Sequence, residues 1–200
     1  MKIIIENLEC PFCNGKTSYR KIVSFYSRQI LVWTDGFSTV SQPYVVKCPN
    51  CGHCFIMDDV KKSERQKGLN KDEVNELQEP SLKELYHLIN HRSNLTTQQE
   101  IRVRIQIWWY ENNRFRSAHG NNLSLDEKFI SNLQKLESLL NENIENERIM
   151  KIEINRELNN FEKAKSLFDY NFSRRSKLII NLLKDLIERK VNTLQLVTKK

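Results

Sequence analysis

Glycine, proline and long apolar runs are all scarce in this sequence. Five glycines and four prolines occur among 200 residues. No Gly-rich stretch of the kind that cradles a phosphate is present, and no Ser-His-Asp pattern stands out. These absences argue against the commonest nucleotide-binding and hydrolytic enzymes, and we expect a protein without catalytic activity.

Membrane and export segments are also lacking. The early run Ile3–Ile5 ends at Glu6, well short of the apolar core of a signal peptide. The stretch 178–187 is interrupted by three polar residues and is too short to span a bilayer. We therefore expect a cytoplasmic protein, where paired cysteines bind metal more often than they form disulfides.

The composition is otherwise that of a soluble globular protein, with 39% hydrophobic and 28% charged residues. The net charge of +7 is unevenly distributed. Residues 171–200 carry eight Lys or Arg against two Asp or Glu, so the basic character belongs to the C-terminal tail.

Residues 1–60 show a β pattern. Aromatic and β-branched residues from Phe25 to Trp33 run into Asp35-Gly36, which suits a type I′ turn, and Phe37–Val40 would pair back. Another strand, Tyr44–Lys47, leads into Cys48. A 60-residue module buries little apolar surface, so it needs a staple such as a metal ion.

The rest of the chain reads as a linker followed by helices. Residues 61–80 are charged and polar, and 81–200 carry helical signals, including possible capping boxes at Ser81, Thr97 and Ser124. Apolar periodicity predicts helices at 125–140, 144–158, 161–168 and 174–188. Residues 101–107 alternate as a strand would, yet the Thr97 cap and a helical apolar stripe favour a helix.

Four cysteines form two copies of one device. Cys10-Pro-Phe-Cys13 and Cys48-Pro-Asn-Cys51 each place two sulfurs within reach of one metal ion from a single tight turn. Proline fixes φ after the first cysteine, and the residue after the second must tolerate positive φ. Gly52 meets that requirement, and Asn14 tolerates the same backbone region.

Residues 1–59 resemble a zinc ribbon of the Cys-Pro-x-Cys type. The resemblance implies one Zn²⁺ held by Cys10, Cys13, Cys48 and Cys51, with iron as the less favoured metal. Four thiolates close the coordination shell, whereas catalytic zinc keeps a position open for water. The metal would therefore be structural. Cys54 is expected to lie on the following strand as a small apolar residue.

Two further groups are candidates for contact with a partner or with nucleic acid. Trp108 and Trp109 precede Arg114 and Arg116, so that rings could stack on bases and guanidinium groups could bind phosphate. The alternative is that the tryptophans anchor the helical core, which we favour. The second group is the basic set at the start of the last helix: Arg174, Arg175 and Lys177.

Residues 154–168 resemble the junction between the two helices of a tetratricopeptide-type repeat. Ala164 would be the small residue that permits close helix approach, and Phe161 would fill the space beside it. No second copy is evident at a 34-residue step. Helix pairs of this kind bind proteins, and the combination with the ribbon resembles bacterial zinc-ribbon proteins.

The sequence therefore predicts an α+β protein in which a small antiparallel zinc ribbon with four cysteine ligands precedes an antiparallel, repeat-like helical region. The leading functional hypothesis is a non-enzymatic adaptor whose helical part binds another protein, with the ribbon as a stabilising or second docking surface and a purely structural zinc ion. The alternative is a nucleic-acid-binding protein that uses the Trp108–Trp109 helix and the basic tail. Oligomeric state and partner identity are left open.

Overall fold

The computed structural model describes residues 2–24, 30–60, 66–67, 75–117 and 125–197, with backbone alone for 66, 67 and 117. Contacts group the chain into two compact units. Unit 1 comprises Met1–Ile30 and Val40–Leu95, and unit 2 comprises Leu31–Thr39 and Thr96–Lys200. Antiparallel strands come first and six α-helices follow in the described part, so the predicted α+β class is confirmed.

Unit 1 contains two small antiparallel sheets. One has the strand order β2-β1-β5 and the other pairs β3 with β4. The strands are β1 (Lys2–Glu9), β2 (Lys16–Ser24), β3 (Val45–Lys47), β4 (Cys54–Ile56) and β5 (Gln66–Lys67). The turns that connect β1 to β2 and β3 to β4 each carry one cysteine pair, so both hairpins serve to position sulfur.

Parts of the predicted linker 61–80 pair with these strands. Gln66 and Lys67 lie opposite β1, at Lys67↔Glu6 and Gln66↔Asn7. Further on, the chain exchanges two backbone hydrogen bonds between Gln78 and Lys47, at 2.9 and 3.0 Å. These contacts join both sheets to the segment that leads into the first helix.

The first helix, α1 (Leu82–His91), belongs to unit 1. Its capping box is as predicted: the Ser81 hydroxyl accepts from the Glu84 N–H, and the Glu84 carboxylate accepts from the Ser81 N–H. Two ion pairs attach α1 and its end to the strands, Glu84–Lys47 at 2.8 Å and Arg92–Asp59 at 2.7 Å. The two contact-defined units thus have boundaries that differ from the predicted ones at residues 60 and 80. The predicted boundaries concern domains that fold independently, and they stay a prediction.

The predicted Asp35-Gly36 hairpin lies in unit 2, and its turn differs from the prediction. Residues 25–29 of the expected first strand lie outside the described residues. Val32 pairs with Ser38, and Gly36 has a φ of +79° while Asp35 has no positive φ. A type I′ turn needs positive φ at both central residues, so this is a three-residue loop with glycine at its left-handed position. The Asp35 carboxylate accepts from the Phe37 N–H at 3.1 Å, which favours that geometry.

Unit 2 contains the remaining five described helices, and none in the described part of the chain is long and apolar enough to cross a membrane. They are α2 (Thr97–Ser117), α3 (Glu127–Leu139), α4 (Glu145–Glu157), α5 (Phe161–Ser166) and α6 (Lys177–Glu188), the last preceded by a 3₁₀ turn at Arg174–Ser176. Residues 101–107 are helical, as favoured. Capping differs by one or two positions: Thr96 and Gln99 form the reciprocal pair before α2, and Asp126 caps α3. The predicted cap at Ser124 lies outside the described residues.

Two apolar clusters of the described residues lie in the core of unit 2. In the first, the apolar stripe of the helix predicted at 125–140 (the α3 stripe) packs around Trp108 together with Ile101 of α2 and Ile154 of α4. Four members of the stripe are buried and Leu125 is partly buried; the buried ones are Phe129, Leu133, Leu136 and Leu140. The second cluster joins α4, α5 and α6 through Ile152, Ala164 and Leu183. Ala164 lies within α5 and is fully buried, but α5 is only six residues long, and the repeat-like character is not confirmed.

Candidate metal centre

The two cysteine turns have the same backbone geometry. We call Cys10–Gly15 the first knuckle and Cys48–His53 the second knuckle. In each, the N–H of the first cysteine donates to the carbonyl five residues on, at 2.9–3.0 Å. The N–H four residues after the first cysteine donates back to that cysteine's carbonyl, at 2.9 Å in both. Each knuckle is therefore shaped by its own backbone and closes a hairpin of unit 1.

Equivalent positions in the two knuckles have positive φ. Asn14 has a φ of 55° and Gly52 a φ of 74°, which confirms that asparagine replaces glycine at this corner. Gly15 serves a different purpose. A Cβ built on Gly15 would lie 2.5 Å from the Asn50 side-chain nitrogen and 3.1 Å from the Cys13 sulfur. Only glycine lets the second knuckle approach the first so closely.

The four cysteine sulfurs converge. The Sγ atoms of Cys10, Cys13, Cys48 and Cys51 all lie within 4.8 Å of one another, and the Cys10–Cys51 and Cys13–Cys48 pairs are 3.8 Å apart. A tetrahedral site with metal–sulfur bonds of about 2.3 Å has sulfurs about 3.8 Å apart, whereas a disulfide joins them at about 2.05 Å. This cluster could hold one metal ion, and all four cysteines are free.

Burial and backbone donors shape the site's electrostatics. Cys10 and Cys48 are fully buried, and burial raises the pKa of the Cys10 thiol to about 12. At Cys48 burial opposes ionisation, but hydrogen bonds from the N–H groups of Cys51 and Asn50 lower the pKa. The Asn50 N–H lies 3.4 Å from the Cys48 sulfur. Backbone N–H groups aimed at sulfur stabilise thiolate, the form that binds metal.

Cys54 lies outside the cluster. It begins β4 and is partly buried, as expected of a small residue on that strand. Burial, followed by the charge of Glu84, raises the pKa of the Cys54 thiol to about 11. A thiol of that kind is protonated at neutral pH, so Cys54 has the properties of a packing residue.

Of the two tryptophans singled out in the sequence, Trp108 is buried and Trp109 is partly exposed. Trp108 is 0% exposed, and its indole N–H donates to the Glu157 carboxylate at 3.0 Å. The Trp109 indole N–H donates to the Asp35 carbonyl at 3.1 Å. Trp108 therefore presents no face on which a base could stack, in agreement with the favoured core role.

The neighbouring arginines have partners within unit 2. Arg116 forms an ion pair with the Asp35 carboxylate and lies over the Phe37 ring, 4.2 Å from its centroid. Arg114 lies 3.7 Å from both Glu111 and Asp126. The other three basic residues proposed from the sequence as partner contacts are exposed at the start of α6: Arg174, Arg175 and Lys177.

Two concave regions were not predicted from the sequence. The first, which we call the knuckle groove, has a volume of about 1100 Å³ and is lined by both knuckles and by α1. The second is a cavity of about 600 Å³ in unit 2, with Glu157 in its wall. The knuckle groove brings together residues of the first and second knuckles that lie 40 or more positions apart in the sequence. No local sequence pattern predicts a contact between such distant residues.

Comparisons with protein-family models, with curated proteins and with solved structures return no match. The likeness of residues 1–59 to a zinc ribbon therefore rests on the two knuckles and the hairpins that carry them.

Proposed function

We propose that Cys10, Cys13, Cys48 and Cys51 hold one zinc ion whose role is structural. The observation that supports this most directly is the convergence of four sulfurs, all within 4.8 Å of one another, from two knuckles that share the same two backbone hydrogen bonds. Four thiolates complete a tetrahedral shell, so a bound zinc ion would keep no position for water or substrate. Iron held in the same four-sulfur set is the less favoured occupant.

Metal identity is tested on the full chain purified without added metal. We expect about one zinc per chain by elemental mass spectrometry, and a tetrahedral thiolate spectrum after exchange with Co²⁺. Stoichiometric iron with a visible absorption band would instead assign a rubredoxin-like site. Zinc below about 0.2 per chain, with no uptake from excess zinc, would contradict any metal role.

We further propose that the chain is a non-enzymatic adaptor of the reducing cytoplasm that binds a segment of another protein in the knuckle groove. The two knuckles carry an exposed ring pair beside this groove: Phe12 is 57% exposed and stacks on His53, with centroids 4.9 Å apart. On the opposite wall the His87 and His91 rings stack at 4.1 Å. Exposed aromatic groups around a concave surface are typical of protein interaction sites.

Charge in the knuckle groove does not select the partner segment. Asp59 is held by both guanidinium nitrogens of Arg92, each at 2.7 Å, and Glu84 is held by Lys47. Beyond those pairs the titratable groups of the lining are Lys83, Cys54 and three imidazoles. A zinc ion bound by four thiolates would add a net charge of −2 within the same two knuckles, which offsets Lys83. The exposed rings therefore decide the preference, and the groove suits a segment that carries an apolar or aromatic anchor.

A displayed library of twelve-residue peptides, selected on the zinc-loaded full chain, tests this surface. We expect the recovered peptides to share an apolar or aromatic anchor, and to bind at least about tenfold more weakly to Phe12→Ala. Val23→Ala is the matched control, because Val23 is 43% exposed and does not line the groove. Peptides that bind both variants equally would contradict the assignment of the groove.

Nucleic-acid binding is the second candidate, favoured by one observation: Arg174, Arg175 and Lys177 are all exposed within four residues. Fluorescence anisotropy with short DNA and RNA should then show affinity that falls with salt, with a slope reduced by about 2–3 in the triple alanine variant. Replacement of the exposed lysines 128, 135 and 165 by alanine is the matched control. Equal slopes in the two triple variants would mean generic charge attraction.

A further inference from the structure

Unit 2 encloses a cavity of about 600 Å³ that the proposed adaptor function does not use. It lies among α2, α3, the end of α4 and the segment 192–194. Its volume falls in the range of about 300–1000 Å³ typical of small-molecule sites. The cavity is therefore large enough to hold a ligand of several carbon atoms.

Two polar side chains of the cavity lining are buried, those of Asn112 and Glu157, and Glu157 carries a carboxyl group. Glu157 ends α4 and is 3% exposed. One of its oxygens accepts from the Trp108 indole N–H at 3.0 Å, and the other accepts from the Asn112 amide at 3.1 Å. A carboxylate has about four acceptor positions, so these bonds orient the group and leave capacity for another donor.

Charges around Glu157 do not balance. The buried groups here are the carboxyls of Asp35, Glu153 and Glu157 and the guanidinium groups of Arg116 and Arg156. Arg156 is committed to Glu153, with contacts at 2.6 and 2.7 Å, and Arg116 to Asp35. One negative charge is thus in excess at Glu157. A buried excess charge is costly unless a proton or another cation neutralises it.

The pKa of Glu157 responds in the expected direction. Burial, and then the charges of Glu153 and Asp35, raise it well above its ordinary value. The free protein therefore favours a proton on this carboxyl group. A ligand that brings its own positive charge would take the proton's place.

The other walls decide which kind of cation fits. Five apolar residues line the cavity: Phe115, Leu125, Ile130, Leu158 and Leu194. Gln134 and Asn159, which also line it, are exposed. Among the described residues, Glu157 supplies the one carboxyl group of this lining, whereas hard metal ions require several oxygen ligands. An organic cation with an apolar body matches both the carboxyl and the apolar walls.

We propose that this cavity is a binding site for a small organic molecule with a protonated nitrogen, an ammonium or amidinium group, that pairs with Glu157. The apolar body of the ligand lies against Phe115 and Ile130. The proposal concerns unit 2 and is independent of the metal site and of the knuckle groove.

Benzylammonium is the probe, with benzyl alcohol as its neutral match, and both are titrated into the zinc-loaded full chain by ligand-observed NMR. We expect benzylammonium to bind at least about tenfold more tightly than benzyl alcohol, the factor that 1.4 kcal/mol represents. Glu157→Gln should remove that preference. Glu162→Gln, at an exposed glutamate outside the cavity lining, should retain it.

A second variant keeps the test decisive if Glu157→Gln does not fold. Gln134→Trp places a large ring at the open side while leaving every buried charge in place, and it should lower benzylammonium binding at least about tenfold. Equal binding of the amine and the alcohol would overturn the proposal. So would amine binding that persists unchanged in Gln134→Trp.

Discussion

The two units stabilise small cores in different ways. In unit 1 one cluster of buried residues joins four apolar side chains with two of the sulfur donors: Leu8, Cys10, Val46, Cys48, Phe55 and Val60. In unit 2 the clusters formed by the described residues are aliphatic and aromatic, and a set of ionisable groups is buried as well. A small domain buries too little apolar surface to be stable alone, so it needs a metal ion or a disulfide. A larger domain buries enough apolar surface to tolerate the cost of buried charged groups.

The two units also differ in the source of the positive charge that neutralises their negatively charged groups. The zinc site proposed for unit 1 would take its divalent cation from outside the chain. In unit 2, Arg156 lies 0% exposed against Glu153, and its other nitrogen donates to two backbone carbonyls, of Val191 and Thr193, at 2.6 and 2.9 Å. Unit 1 should therefore depend on metal, and unit 2 on its own ion pairs.

Loss of the metal should have the largest effect and should separate the two units. Cys48→Ser removes a buried ligand, and structural zinc contributes about 10–16 kcal/mol in small zinc modules. We expect zinc content to fall and the amide NMR signals of unit 1 to collapse, while those of unit 2 stay dispersed. Cys54→Ser is the matched control and should retain both zinc and signals. Dispersed unit 1 signals in zinc-free Cys48→Ser would show that the apolar cluster suffices.

Breaking the buried ion pair should be the next largest effect, and it should be confined to unit 2. Arg156→Met keeps the volume but leaves the buried Glu153 carboxylate without its partner, which costs about 3–5 kcal/mol. Urea denaturation followed by unit 2 signals measures the loss. Arg189→Met removes an exposed pair with Asp185, 65% and 57% exposed, and should change stability by less than about 1 kcal/mol. Similar losses of stability in both variants would mean that the buried ion pair of Arg156 stabilises unit 2 no more than the exposed pair of Arg189 does.

The pH dependence of unit 2 should reveal the excess carboxyl group. Because the folded-state pKa of Glu157 is raised, the folded state retains a proton that the unfolded chain releases above about pH 4.3. The contribution of this bound proton to the free energy of unfolding is fully present below about pH 4.3. It is lost as the pH rises toward the folded-state pKa, by at most about 1.4 kcal/mol per pH unit. Burial also raises the pKa of Asp35, so the informative quantity is the difference from Glu157→Gln. Glu157→Gln should flatten the decline and Glu162→Gln should leave it unchanged; parallel profiles would place the proton elsewhere.

Much of unit 1 could be predicted because its information is local. Cys-Pro-x-Cys specifies a turn within six residues, and the left-handed conformation of Asn14 follows from the same motif. The α3 stripe in unit 2 was predictable for a similar reason, since three- and four-residue spacing defines a helix face. Helix ends were less certain, because Thr96 and Thr97 are both suitable caps and the sequence favours neither.

The buried polar network could not be predicted, because its members are far apart in the chain. Asp35 meets Trp109 and Asn112, 74 and 77 positions away, and Trp108 meets Glu157 across 49 positions. The prediction of the turn type at Asp35 was wrong for the same reason. The Asp35 carboxylate accepts a hydrogen bond from Asn112 and pairs with Arg116, and the sequence of the hairpin does not reveal these contacts. Local patterns report periodicity and turn chemistry, and they carry no information on which distant side chain will neutralise a buried charge.

Two glycines provide the finest comparison between the units. Gly52 and Gly36 have φ of +74° and +79°, and an added Cβ would meet nothing within 4 Å at either. Gly52→Ala and Gly36→Ala should therefore incur the same backbone penalty, about 1–2 kcal/mol for an L-residue in the left-handed region. In unit 1 folding is coupled to metal binding, so the penalty should weaken zinc affinity by about 5–30-fold. In unit 2 the same penalty should lower stability in urea and leave zinc affinity unchanged, as measured by competition with a chromophoric chelator. A change in zinc affinity in Gly36→Ala would show that the units are energetically coupled and that the distinction between them fails.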